Sequence, residues 1–401
     1  MKKNNTDSVP VKNKKLTVGK IILLFLLVIL ISLAAITAYI VFFHKPDTGA
    51  DDPPPFSTEG LNFDSSDNTE QNPSTNESQT PEQTTSQDPT SVPKNEQKIY
   101  NFLFVGQDRI ALNTDVIMLI SFNTTLKQIN VLQIPRDTYI ELSNYSGKIN
   151  GLYAQYYINS GSDKKGSLRK LADTLEENLC IKIHNFVHIN LDGVRVIVDS
   201  IGGVDITLSA DTTIGGKKYT AGKHHLNGEE SEKFIRHRAT YVQADIGRID
   251  AQKIFMSAFI QKIKSNFNLS TISTLVTQAI KNVTTDISLS DAVYYAKQLL
   301  GIDMNNIHFM SMIGRGTMSN ADGSGLSIYV MVRKNMREMI DRYFNIYNFP
   351  ISDGIFDKNR VFTSTSRYPH INQYYIIDTI ETPDPYDAGK INSDSISIPQ
   401  I

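Results

Sequence analysis

The 401 residues carry 40 Lys and Arg against 42 Asp and Glu, a formal net charge of -2. That balance lacks the basic excess of a nucleic-acid binder, and a single cysteine, Cys180, excludes any intrachain disulfide. With 40% hydrophobic residues the chain can hold one large domain or two ordinary ones, each with a sizeable core.

Residues 1–20 hold six lysines against one aspartate, and 21–43, IILLFLLVILISLAAITAYIVFF, are uncharged. The run suits a bilayer core of about 30 Å, and the lysines ahead of it keep the N-terminus cytoplasmic. The apolar core of a cleaved signal peptide is shorter, about 7–15 residues. The expectation is a single-pass anchor in the cell membrane with everything after residue 43 extracellular. Residues 44–97 are rich in Ser, Thr, Pro, Asn and Gln, with ten acids and no lysine or arginine between 46 and 93. Such a stretch cannot bury enough apolar surface to offset its ordering entropy. It predicts a disordered, extended spacer whose function is reach. The remainder, 94–401, is then close to neutral.

Order is expected from residue 98. IYNFLFVG (99–106), DVIMLISF (115–122) and QINVLQIP (128–135) read as strands, the second continuously apolar as in a strand buried on both faces. Leu168, Leu171, Leu175 and Leu179 have helical spacing over 166–179. Cys180 follows in ENLCIKI and reads as a small buried filler. IKIHNFVHIN (181–190) reads as a strand, 191–202 as a helix and 203–208 as a strand. LNGEESEKFIRHR (226–238) starts as a helix, and a long helix spans about 245–264. Residues 267–350 read as further helices with one strand near 306–312, and 351–401 give no assignment. Helices alternating with apolar strands indicate an α/β fold, an α-β-α sandwich on a central mixed sheet.

Asp245, Arg248 and Gln252 are spaced i, i+3, i+7 and share one helix face, which continues as Phe255, Phe259 and Ile263. A stripe polar at its start and apolar beyond predicts a semi-buried cleft. Arg236 and Arg238 would point the same way if that stretch is extended. The planar guanidinium grips phosphate bidentately, which points to an anionic ligand. A salt-bridge network of Asp245 with Arg248 or Arg236 is the structural alternative. A second cluster sits at strand ends, where catalytic groups of α/β folds collect. Asp108 follows the first strand, Asp115 opens the second, and Arg136 and Asp137 follow the third. Two acids and an arginine there form a candidate site for Mg²⁺ (or Mn²⁺) and phosphate, although each acid alone also fits a turn cap. His184 and His188 lack an H-E-x-x-H context, His224 and His225 read as a turn, and no G-x-S-x-G or P-loop occurs. The tyrosines of GLYAQYY (151–157) read as core packing.

The order GQD, TDV, IPRDT, KINGLY, IGGVD, LNGEES, RHR and D-x-x-R-x-x-x-Q, over roughly 98–350, resembles the LytR-CpsA-Psr (LCP) family of cell-envelope proteins. The resemblance implies an α-β-α sandwich with a hydrophobic tunnel for a polyprenyl chain. It implies a phosphotransferase that moves an anionic glycopolymer, such as wall teichoic acid or capsule, from an undecaprenyl-pyrophosphate carrier to peptidoglycan. It places metal-linked aspartates at Asp108 and Asp115 and a pyrophosphate-binding arginine at Arg136. Substrate-binding positions follow at Lys148, Arg236, Arg238, Asp245, Arg248 and Gln252. Two positions depart from the family pattern: Asn113 and Ala251 stand where an arginine is usual. On this reading arginines neutralise the pyrophosphate, and Asp115 or Asp137 accepts the proton of the attacking sugar hydroxyl. Asn113 keeps open a second class, a membrane-anchored receptor or scaffold for lipid-pyrophosphate precursors. Water in place of the sugar would make the same site a pyrophosphate hydrolase.

Overall fold

The computed structural model describes residues 44–58, 92, 96–107, 112–208, 211–237, 244–268 and 271–358, the side chains of 244–250 excepted. The apolar run 21–43 and residues 359–401 lie outside the described residues. Among the described residues no helix is long and apolar enough to cross a membrane.

Strands β1 (Ile99–Gln107), β2 (Thr114–Asn123) and β3 (Gln128–Ile134) form an antiparallel meander. The hairpin β4 (Tyr139–Leu142) and β5 (Tyr145–Lys148) follows, then helices α1 (Leu152–Asn159) and α2 (Lys164–Leu179). Strand β6 (Asn185–Asn190) returns parallel to β1 and runs directly into α3 (Leu191–Ser200). A ribbon of β7 (Val204–Leu208) and β10 (Gly222–Leu226) brackets the hairpin β8 (Thr212–Ile214) and β9 (Lys217–Tyr219). Helices α4 (Gly228–Arg236), α5 (Ala244–Asn266) and α6 (Ile272–Ala279) come next. Strand β11 (Thr284–Thr285) pairs with β6, α7 spans Leu289–Leu300, and β12 (Ile307–Ser311) pairs parallel with β3. The hairpin β13 (Gly314–Met318) and β14 (Ser327–Met331) leads to α8 (Arg333–Tyr343) and α9 (Asp353–Lys358).

The central sheet has the order β11-β6-β1-β2-β3-β12 and is mixed. Its middle strands bury both faces. In β1, Ile99, Leu103 and Val105 join one core, while Tyr100 and Phe102 join the other. This is the period-2 alternation of a strand between two layers. Leu168, Leu171 and Leu175 of α2 and Met336 and Ile340 of α8 cover the first face. Ile260 of α5 and Tyr294 of α7 cover the second. A third apolar cluster ties Val204 and Ile206 of β7 to Phe234 of α4 and Ile254 of α5. Cys180 is buried in the first core, and burial pushes its thiol up to about 12. A thiol so poorly ionised is a packing group, not a nucleophile.

Four expectations are corrected. The strand expected over 181–190 begins at Asn185. His224 and His225 lie in β10, not in a turn. Residues 267–350 hold β11, β13 and β14 in addition to the expected strand. The first part of the expected spacer, 46–58, packs on the domain. Phe56 is buried in the first core with its ring edge-on to Tyr347, centroids 5.4 Å apart. The Tyr100 hydroxyl donates to the carbonyl of Pro46 at 2.9 Å, and His184 Nε2 donates to that of Thr48 at 2.6 Å. One large aromatic in a polar stretch supplies the burial that average composition hides. At the other end of the chain, Ile355 and Phe356 of α9 carry the domain past residue 350 into the same core.

Candidate active site

The C-terminal ends of β1, β3 and β6 and the start of β2 meet at one edge of the sheet. Here β1 and β2 slip register. Gly106 pairs with Val116 and Gln107 with Thr114, leaving Asp115 as an extra residue on β2. A bulge of this kind re-aims a side chain, and Asp115 lines a cleft of about 610 Å³. Gly106 permits the close approach: a Cβ there would stand 3.0 Å from the Cβ of Val116.

After β3 the chain turns at Pro135, whose carbonyl accepts from the Thr138 backbone N–H at 3.0 Å and from its hydroxyl at 2.6 Å. The turn brings Arg136 Nη1 to Asp115 Oδ1 at 2.7 Å. Asp137 Oδ1 receives Lys148 Nζ at 2.8 Å and lies 4.0 Å from Arg136 Nε. Asn150 anchors the row: its N–H donates to the Arg136 carbonyl at 3.2 Å, and its carbonyl accepts from the Thr114 hydroxyl at 3.3 Å. Acid and base thus alternate from Asp115 through Arg136 and Asp137 to Lys148, each about a quarter exposed.

The opposite wall comes from α3, α4 and α5. Gln252 of α5 is buried and accepts from Gln133 of β3 at 2.7 Å, fastening the helix to the sheet. Arg236 is the last residue of α4, and its backbone is helical and not extended; His237 after it is extended, and Arg238 lies outside the described residues. Arg236 Nη1 lies 3.3 Å from Glu232 Oε1, and Arg195 Nε binds the other oxygen of the same buried carboxylate. Helix α4 starts with a capping box of Asn227 and Glu230, which fixes the pitch at which Lys233 and Arg236 reach the cleft. The interior is apolar, with Phe104, Val116 and Met118 of the sheet facing Phe255 and Met256 of α5. His237 also lines it, and burial holds its imidazole below the ordinary histidine range.

Asp115, Arg236 and Gln252 therefore stand on the cleft wall, with Arg136, Asp137 and Lys148 in a row behind Asp115. Asp245 and Arg248 belong to α5, but their side chains lie outside the described residues, as do Asp108 and Arg238 entirely. Sequence reasoning missed Glu232, Arg195 and Lys233; the i, i+4 spacing of Glu232 and Arg236 was the available signal. Tyr153 and Tyr157 of α1 stack on each other, 5.9 Å between centroids, away from the cleft lining. Of the two departures from the family pattern, Ala251 is buried in the third cluster and Asn113 is exposed. Among the described residues no group of three His, Cys, Asp or Glu is placed to hold a metal ion. The Asp115 carboxylate is the one hard-oxygen donor of the expected pair that the described residues contain.

Residues 61–345 match the model of the LytR_cpsA_psr family. The polyisoprenyl-teichoic acid–peptidoglycan teichoic acid transferase TagV of Bacillus subtilis (strain 168) is 26% identical over 235 residues, covering 55% of this chain and 58% of that protein. The transferase TagU of Bacillus mycoides is 32% identical over 177 residues, 44% of this chain and 55% of that protein. The chain thus spans a little over half the length of these two relatives. The crystal structure of B. subtilis TagV superimposes with a TM-score of 0.53 at 24% identity, covering 61% of this chain and 97% of that one. TagT bound to LI-WTA superimposes with a TM-score of 0.50 at 22% identity, covering 64% and 92%. These superpositions establish the shared fold, and the family model extends over well more than half of the sequence: the chain belongs to the LytR_cpsA_psr family.

Proposed function

We propose that this protein transfers an anionic glycopolymer from a polyprenyl-pyrophosphate carrier to peptidoglycan, joining the two by a phosphodiester. One observation carries the reading: Asp115 and Arg236 charge the wall of an otherwise apolar cleft of about 610 Å³, with Arg136 paired to Asp115 behind it at 2.7 Å. A lipid pyrophosphate has this same division between anionic head and apolar tail. The named relatives support it, since TagV and TagU are teichoic acid transferases and a structure of TagT has it bound to LI-WTA.

In the reaction a sugar hydroxyl oxygen attacks the phosphorus that bears the glycopolymer. A new P–O bond forms, the P–O bond to the carrier's phosphate breaks, and polyprenyl phosphate leaves. Arg136 and Arg236 hold the phosphate oxygens and offset charge on the departing group, the main demand of phosphoryl transfer. Asp115 faces the cleft whereas Asp137 is paired with Lys148 behind it, so Asp115 is the carboxylate positioned to take the hydroxyl proton. The apolar walls exclude water and favour transfer over hydrolysis. Mg²⁺ or Mn²⁺, held by Asp115 together with Asp108, would supply further positive charge at the pyrophosphate. Residues 21–43 anchor the chain in the cell membrane, with the folded domain outside; protease added to intact protoplasts should then remove the domain and spare the N-terminal tail.

The test uses the full chain in detergent with Mg²⁺, a synthetic polyprenyl-pyrophosphate saccharide and a peptidoglycan oligomer, read by mass spectrometry. A phosphodiester-linked product that disappears in Asp115→Asn is expected. Donor binding without product would support the receptor class, and released saccharide phosphate without ligation would support a hydrolase.

A further inference from the structure

A second recess of about 370 Å³ lies beside the cleft, and Gln107 and Asn190 line both. Each of these residues ends a strand, Gln107 closing β1 and Asn190 closing β6, so the partition belongs to the same sheet edge as Asp115. Beyond it stand Lys164, from the first turn of α2, and Lys281, from the 3-10 turn Ile280–Asn282. Neither lysine makes a hydrogen bond or ion pair among the described residues. Asp163 caps α2, its carboxylate accepting from the Gly166 N–H at 3.1 Å and offsetting the positive end of the helix, so the positive charge of the recess is that of the two lysines. Asp192 is the one acid on the lining. The walls are rigidly joined: a Cβ on Gly193 of α3 would fall 2.6 Å from the Asn282 carbonyl oxygen, so backbone packs on backbone beneath Lys281. His188 forms the floor, its Nε2 2.8 Å from Gln107 Oε1, and burial, with the Lys164 charge as a smaller contribution, lowers its pKa. The recess is therefore small, preformed and lysine-flanked, and it opens beside the reacting centre.

We propose that this recess is a subsite for an anionic saccharide that reaches the reacting centre past Gln107 and Asn190. The assignment rests on the transferase reading. A carboxylate of the peptidoglycan acceptor and a phosphate further along the transferred polymer share the chemistry that two lysines recognise.

The experiment compares the full chain with Lys164→Gln/Lys281→Gln, both exposed positions whose change leaves the core intact. Binding of a disaccharide muropeptide, an oligo(glycerol phosphate) and a neutral chitin tetrasaccharide is measured by titration at two salt concentrations. Loss of about tenfold in affinity for an anionic probe is expected, shrinking at high salt, with the neutral probe unchanged. Loss confined to the muropeptide assigns the acceptor, and loss confined to the oligo(glycerol phosphate) assigns the donor polymer. Equal binding of both anionic probes to both proteins, or no binding of either to the unaltered chain, overturns the subsite. Because binding needs no turnover, a chain that shows the lysine-dependent binding yet makes no product sinks the transferase reading alone.

Discussion

Asp115 and Arg136 are 21 residues apart in sequence and 2.7 Å apart in space. The acid was visible in the sequence as the residue opening a strand, but its aim was not. The aim depends on the slip between β1 and β2, a property of the pairing and not of either strand. Arg195 and Glu232, 37 residues apart, were hidden for the same reason. Arg136→Lys should keep the charge and lose the planar fork. We expect kcat/KM for transfer to fall about 100-fold, with the melting temperature nearly unchanged because the pair is partly solvated. His188 gives a second outcome. Burial, with Lys164 beside it, lowers its pKa from 6.5 to about 4. Above pH 6.5 the ring is neutral folded and unfolded, and stability is full. Between 6.5 and 4 the unfolded chain takes up a proton that the folded ring refuses, so stability falls by about 3 kcal/mol and then levels off. His184, lowered by burial as well, adds in the same direction. Urea denaturation across this range should show a shallower slope for His188→Gln than for the unaltered chain.

Long apolar elements could be read directly because their periodicity reports burial: β1, β2, β3, α2 and α8 all bury a regular face. The short ribbons could not. In β10 only Leu226 is buried, so a strand of Lys and His carries almost no hydrophobic signal. Strand β11 has two residues and exists only because β6 offers an edge. The motif K-I-N makes a related point: Lys148 closes β5 and Asn150 bridges β2 to the turn after β3, so the motif holds the charged row in place. The β1–β2 bulge is open to a direct check. Gly106→Ala would set a Cβ 3.0 Å from Val116 Cβ. We expect a loss of about 1–3 kcal/mol from overpacking, together with reduced transfer as Asp115 is displaced. A variant with normal stability and normal activity would show that the bulge does not aim the carboxylate.

For the whole molecule, the layered α/β sandwich and the clustering of Asp115, Arg136 and Asp137 at strand ends followed from alternating strands and helices, while the path of the chain before β1 did not. Composition is an average, and a single Phe56 outweighed the polar residues around it. Phe56→Ala should cost about 3 kcal/mol if the ring is as well packed as a core phenylalanine, measurable as a lowered denaturation midpoint. That docked segment changes what the acidic stretch can do. Both ends of 59–91 are fastened to one body, at Phe56 and at the entry to β1. The path from residue 58 to residue 92 starts and ends on this one body, so those residues add no reach beyond Pro46. Deleting 62–88 should leave transfer in native membranes unchanged, since loop closure depends only weakly on length. Making the rate respond to that deletion would take release of Pro46, Thr48 and Phe56 together, since each is held to the body by its own contact.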